Sequence, residues 1–190
     1  MKLLIASNNQ HKIEEIKAVL RGKFDEITTL SEENILCDPD ENGQTFLENA
    51  LIKARAIAKH TDKAVLADDT GLCVNALNGR PGVHSARYAG DHDSAANRRK
   101  LLGELKNATD RSAYFKTVVV LLYPDGKVVI GEGEVHGRII ENEQGSNGFG
   151  YDCIFFSNEL GKTFAQATTE EKLTVSHRSR ALKDLLNKLQ

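Results

Sequence analysis

Charge of one sign, paired cysteines and long apolar runs are what this sequence of 190 residues lacks. Its 25 Lys and Arg residues nearly balance its 27 Asp and Glu, leaving a formal net charge of −2 and none of the basic surplus of a protein that coats nucleic acid. Any anion it binds must therefore be met by local cations. The three cysteines, Cys37, Cys73 and Cys153, are odd in number and widely spaced. They form no metal-ligand pair pattern and suit a reducing cytosol better than a disulfide scaffold. No apolar run approaches the ~20 residues that span a bilayer, and the apolar start at residues 2–6 turns polar too soon for a signal peptide. No internal repeat, linker or low-complexity tract interrupts the chain. The expectation is a single cytoplasmic domain over residues 1–190 with a real core, without membrane or nucleic-acid partners.

What is present alternates. Residues 2–6 read as a strand, followed by a polar turn and by Ile13, Ile16 and Leu20 at helical spacing. Thr45-Phe46-Leu47-Glu48 is a capping box that starts a second helix reaching about His60. Residues 64–67 form a buried strand ending at Asp68-Asp69, residues 78–93 an ordered loop, and residues 94–105 a helix. Residues 113–122 and 127–140 are β-rich runs joined by the turn Pro124-Asp125-Gly126, a long antiparallel hairpin that makes the sheet mixed. A glycine-rich turn, residues 145–152, leads to a short strand at 153–156. Leu182, Leu185, Leu186 and Leu189 stripe a final helix. The class is α/β.

Four places could carry chemistry. Ser7-Asn8-Asn9-Gln10-His11-Lys12 lies at a helix start, where free amides and the helix dipole favour an anion; Ser7 or Asn9 could equally serve as a simple cap, with Lys12 in solvent. Asp68 or Asp69 could hold a hard cation, with Glu41 as a second carboxylate, or could simply end a strand. Because adjacent strand residues point to opposite faces, only one of the pair is expected to face a ligand. In Gly145-Ser146-Asn147-Gly148-Phe149-Gly150-Tyr151-Asp152, three glycines alternate with two aromatics on which a base could stack, or make a hairpin turn. Near the end, Glu170-Glu171-Lys172 precedes Ser176-His177-Arg178 at a helix start, either a second anion site or a surface charge cluster. Arg87 reads as structural or as lining.

These elements, in order and nearly end to end, resemble the inosine triphosphate pyrophosphatase family, also called Ham1 or non-canonical purine NTP pyrophosphatases. The carriers are residues 7–12, Thr45-Phe46-Leu47-Glu48-Asn49-Ala50 with Lys53-Ala54, Ala67-Asp68-Asp69-Thr70-Gly71-Leu72, Pro81-Gly82 with Ser85-Ala86-Arg87-Tyr88, Gly148 to Asp152, and Ser176-His177-Arg178. The resemblance implies an elongated mixed β-sheet flanked by helices in two lobes with a central active-site cleft, usually a homodimer. It implies Mg²⁺-dependent hydrolysis of ITP, dITP and XTP to the monophosphate and pyrophosphate. By position, Ser7, Asn8, Asn9, Gln10, His11 and Lys12 would hold phosphates, Asp69 would be catalytic and a Mg²⁺ ligand, Glu41 a second ligand, and Thr70 a substrate contact. Phe149, Gly150, Tyr151 and Asp152 would line the nucleoside pocket, and Lys172, His177 and Arg178 would bind base or phosphate, so that Lys12, Lys172 and Arg178 together answer the triphosphate charge. The chain departs from the family pattern with Asn147 for glycine, Thr70 for serine and Cys153 for proline. A Maf-like pyrophosphatase of other specificity and a non-catalytic nucleotide-binding module are the alternative readings.

Overall fold

Strand β1 (Lys2–Ile5) is buried from its second residue onward. The chain then turns into α1 (Gln10–Leu20), whose Ile13, Ile16 and Leu20 are buried, as their spacing requires. The computed structural model, which describes residues 1–189, continues through β2 (Glu26–Thr29), α2 (Phe46–Ala58), β3 (Ala64–Val74), α3 (Ser94–Glu104), β4 (Ser112–Leu122), β5 (Val128–Ile139), β6 (Phe155–Ser157), β7 (Lys162–Thr163), α4 (Thr169–Val175) and α5 (His177–Asn187). The strands hydrogen-bond in the order β2-β1-β3-β4-β5-β6-β7. β1 pairs in parallel with β2 and β3, while β6 pairs antiparallel with β5 and β7, so the sheet is mixed, as expected. In the turn between β4 and β5, Gly126 takes φ +87° and donates its N–H to the Tyr123 carbonyl at 2.9 Å.

The chain divides into two compact units: residues 1–69, 117–133 and 178–190, and residues 70–116 with 134–177. In the first unit the sheet is covered on both faces. Leu3, Ile5, Leu66, Val119 and Leu121 pack with Ile13, Ile16 and Leu20 of α1 and Leu182 and Leu185 of α5. Their neighbours on the strands, Leu4, Val65, Val120 and Leu122, turn the other way onto Ala50, Ala54 and Ile57 of α2. Each leucine, isoleucine or valine among them, fully withdrawn from water, contributes roughly 1.5–3 kcal/mol. At Gly131 an added Cβ would lie 2.2 Å from the Ala181 carbonyl oxygen, so the bare backbone lets α5 sit directly on β5. The second unit has one core, in which Phe115, Phe155 and Phe164 meet Leu72, Val74, Leu101, Leu105 and Tyr151.

The structure corrects three readings. β3 does not end at Asp68-Asp69 but runs on through buried Leu72, Cys73 and Val74, and both acids sit in mid-strand. Two further strands, β2 and β7, are four and two residues long, too short for an alternation to register. The segment before the last helix is a helix of its own, α4, closed by a second complete capping box at Thr168 and Glu171.

Candidate active site

Where β3 passes between the helical layers of the first unit, its alternation sends Asp68 and Asp69 to opposite faces. Asp68, 2% exposed, meets α1 and α5. Lys12 Nζ lies 3.0 Å from Asp68 Oδ2, and Arg178 Nε donates to the same oxygen at 3.4 Å. The Arg178 guanidinium also pairs closely with the Glu15 carboxylate, and its side chain is wholly buried. Burial alone would raise the Asp68 pKa, but Lys12, Arg178 and Lys53 hold the carboxyl well below the usual range. Burial in turn lowers the Lys12 ammonium pKa, with Lys53 and Arg178 adding to the fall and Asp68 opposing it.

Asp69, 8% exposed, turns to α2, where Asn49 Nδ2 donates to its Oδ2 at 3.0 Å. Here burial wins: it pushes the carboxyl up to about 6, Glu41 adds its negative charge, and Lys12, Asn49 and Lys53 pull back only in part. Lys53 Nζ joins the two acids' surroundings, donating to the Asp68 carbonyl at 3.0 Å and pairing with Glu41 Oε1 at 2.9 Å. The attraction of Asp68 and Glu41 raises its pKa against the effect of burial. The group as a whole sets four carboxylates, Glu15, Glu41, Asp68 and Asp69, against three cations, Lys12, Lys53 and Arg178.

That charge balance bears on a cation. Among the described residues, no three His, Cys, Asp or Glu side chains form a ready cage. Asp69 and Glu41 do supply hard oxygen donors whose mutual repulsion a cation relieves. Two carboxylates with water and phosphate oxygens are the usual surroundings of Mg²⁺, so the residues fit it.

The second unit holds the glycine-rich loop. Asp152, buried, accepts from the Phe149 N–H at 3.0 Å and pairs with Lys172 Nζ at 2.8 Å through the same Oδ2. The Lys172 ammonium also lies 5.1 Å from the Phe149 ring centroid and 5.5 Å from that of Phe164. Gly148, at φ +76°, would place a Cβ 2.2 Å from Asp152 Oδ2, so glycine is required there. Tyr151 is a core residue whose hydroxyl donates to the Ser85 carbonyl at 2.7 Å. His177 is buried with its ring stacked on Phe115 at 4.7 Å. Asn147, where the family pattern has glycine, keeps a negative φ and donates its side-chain amide to the Ala167 carbonyl at 3.1 Å.

The structure sorts the expected residues in ways the motifs did not show. Asn9 does cap α1, accepting from the Lys12 N–H at 3.2 Å, and its own N–H goes to Ser7 Oγ, yet the Lys12 side chain is turned to Asp68 rather than to solvent. Asn8, Gln10 and His11 are exposed on the same turn, and Thr70 is half-buried beside Asp69 in the chain. Lys12 and Arg178 share Asp68 in the first unit, and Lys172 pairs with Asp152 in the second. Phe149 and Gly150 remain half-buried on the loop. Four residues escaped sequence reasoning as site components: Glu15, Asn49, Lys53 and Arg98. Arg98 Nη1 donates to the Gly150 carbonyl at 2.8 Å while its Nε pairs with Glu143 at 2.6 Å, fastening the loop to α3. Glu15, one helical turn beyond His11, and Lys53, one turn beyond Asn49, lie at the spacing that brings side chains onto neighbouring faces.

A model of the Ham1 family matches residues 3–188. A Leuconostoc mesenteroides protein named dITP/XTP pyrophosphatase is 48% identical over all of this chain and 96% of its own length. A Clostridium perfringens protein of the same name is 46% identical over all of this chain and 97% of its own. Among solved structures, the Staphylococcus aureus Ham1 protein superposes with a TM-score of 0.88 at 44% identity, and a HAM1 protein from Coxiella burnetii with 0.90 at 38%. Each comparison covers 100% of this chain and 98% of the other.

Proposed function

The chain belongs to the Ham1 family, and we propose that it hydrolyses non-canonical purine nucleoside triphosphates, ITP, dITP and XTP, to the monophosphate and pyrophosphate. The structural observation that carries this reading is Asp69: a buried carboxyl held by Asn49 and raised to about 6, so that it is ionised near neutrality and still a competent proton acceptor. Asp69 would take the proton of a water as its oxygen bonds to the α-phosphorus, and the bond from that phosphorus to the bridging oxygen would break, releasing pyrophosphate.

Asp69 and Glu41 would hold Mg²⁺, which when bound neutralises phosphate charge and makes water a better nucleophile. Lys53 would keep Glu41 oriented, and Lys12, together with the amides of residues 7–11 at the start of α1, would receive phosphate oxygens. Arg178, buried between Glu15 and Asp68, would act by keeping Asp68 ionised and Lys12 in place. In the second unit, Phe149 on its glycine loop offers a ring face for a base, and Lys172 and Asp152 keep that loop in shape. Hypoxanthine and xanthine carry a 6-keto acceptor and an N1–H donor where adenine has the reverse. A site built for the first pattern leaves polar groups unpaired with the second, enough for discrimination of roughly 10⁴ or more.

The proposal places the activity in the cytoplasmic nucleotide pool and the protein in a homodimer, the assembly being checked by light scattering on the purified chain. Its test is release of pyrophosphate from ITP, XTP, dITP, GTP, ATP and dTTP with Mg²⁺. Fast release from the first three supports it. Release from none, or fastest from dTTP, overturns it.

A further inference from the structure

Asn49, part of the α2 motif but given no site role by it, joins two segments that carry the candidate cation ligands. It is 2% exposed in the first turn of α2. Its Nδ2 donates to Asp69 Oδ2 at 3.0 Å, and its Oδ1 accepts the Gly43 N–H at 2.8 Å. Gly43 stands two residues from Glu41. The next two amides of that loop, of Gln44 and Thr45, donate to Glu48 Oε2 at 2.6 and 3.2 Å. Three successive N–H groups of the Glu41-bearing segment are thus taken up by Asn49 and Glu48, neighbours on one helical turn. Gly43 is pressed against that turn: a Cβ there would lie 2.7 Å from both Asn49 Oδ1 and Glu48 Cβ.

The chemistry of the amide explains the choice of residue. Gly43 offers a donor and Asp69 an acceptor, so the bridging side chain must accept on one side and donate on the other. A carboxylate at position 49 would face Asp69 with like charge, and an aliphatic chain would leave both groups unmet. Because the Gly43 N–H can only face an acceptor, the amide orientation is fixed by the loop, and the donor is delivered to Asp69.

We infer that Asn49 is the positioning residue that ties the Glu41 loop to Asp69 and so sets the two carboxylates as one preformed cation site. The inference rests on the reading of Asp69 and Glu41 as a cation pair. Partners that orient metal ligands typically contribute about 10–100-fold to affinity.

The test is titration of the nucleotide-free protein with Mn²⁺ alone, followed by electron paramagnetic resonance, for the wild type, Asn49→Ala, Gly43→Ala, the double variant and Asp69→Asn. Asn49→Ala and Gly43→Ala are each expected to weaken Mn²⁺ binding about 10–100-fold. The double variant should be no weaker than the worse single one, because both changes cut the same link. Turnover in each single variant should return when Mg²⁺ is raised in proportion, with the nucleotide KM at saturating metal unchanged, a rescue that mere loss of fold would not give. Gly43→Ala retains the Asn49 side chain while forcing the loop off it, and serves as the reading if Asn49→Ala does not fold. Wild-type Mn²⁺ affinity in either folded single variant, or a loss of turnover that added metal does not restore, overturns the role of Asn49 alone. A wild type that binds Mn²⁺ no better than Asp69→Asn overturns the cation pair and this inference with it.

Discussion

Asp68 and Asp69 are adjacent on β3, and the structure holds their carboxyls in opposite electrostatic states, Asp68 well below the usual carboxylate range and Asp69 up at about 6. The difference lies in which layer each faces. Asp68 meets Lys12 and Arg178 within ion-pair distance, whereas Asp69 meets the neutral amide of Asn49. One strand thus carries a carboxylate held ionised and, one residue on, a carboxyl that burial makes easier to protonate.

Replacing the two acids should therefore have opposite effects on stability. The folded protein holds a proton on Asp69 more tightly than the unfolded chain does, so the group's contribution falls as pH rises from about 4 to about 6 and stays lost above. Asp69→Asn keeps an acceptor for Asn49 and removes the buried charge. It should melt higher than the wild type at pH 8, by up to about 3 kcal/mol, with the gap closing toward pH 4, while turnover drops about 10²–10⁴-fold. Asp68→Asn takes from Lys12 its ion-pair partner and leaves Arg178 with Glu15 alone, and should cost roughly 3–5 kcal/mol at neutral pH. Urea unfolding of both variants checks the pair, and an Asp69→Asn protein less stable than the wild type at pH 8 would refute the assignment.

Turnover should also report Asp69. Its protonated form cannot accept the proton of water, so kcat/KM should rise with pH along a limb centred near the pKa of about 6. Metal and proton compete for the same carboxylate, so the limb should move to lower pH as Mg²⁺ is raised. A pH–rate series at three metal concentrations measures this, and a limb insensitive to metal would remove Asp69 from the ligand set.

Gly148→Ala tests the loop of the second unit. The added β-carbon meets Asp152 Oδ2 at 2.2 Å in a backbone conformation of φ +76°, so the loop must shift and Asp152 must release the Phe149 N–H or Lys172. The expected loss is about 1–3 kcal/mol of stability together with a raised nucleotide KM. Thermal melting and KM near wild-type values would show that the loop is not held by Asp152.

Phe149→Ala should weaken all purine nucleotides alike, by about 1–3 kcal/mol if the ring carries the base, because stacking does not read base edges. Comparing kcat/KM for ITP and ATP settles it. A changed ratio would mean that Phe149 helps to read the 6-position.

Local chemistry made much of this legible in the sequence. The capping box at Thr45 and Glu48 forms as written because both partners lie within one turn, and α1 and α5 bury the apolar stripes their spacing announces. The end of β3 was misplaced because paired acids ordinarily stop a strand. Here Asp68 finds Lys12, 56 positions earlier in the chain, and Arg178, 110 positions later, and no local pattern shows partners at such range. Tyr151 illustrates the same limit. An aromatic in a glycine-rich turn suggests a ligand wall, but its hydroxyl reaches Ser85, 66 residues away, and its ring fills the core of its unit. Asn49 looked like part of a helix motif because its two partners, Gly43 and Asp69, belong to a loop and a strand that the fold brings to it.

The placement of Arg178 has a consequence for the order of events during synthesis. Lys12, Asn49, Lys53, Asp68 and Asp69 all leave the ribosome before the segment that becomes α5, whose seat on Gly131 brings Arg178 to Asp68. Until that helix docks, Asp68 is answered by its lysines alone, and the four carboxylates of the group face two cations instead of three. The charge pairing around Asp68 is therefore completed in one late step, when α5 closes onto the sheet.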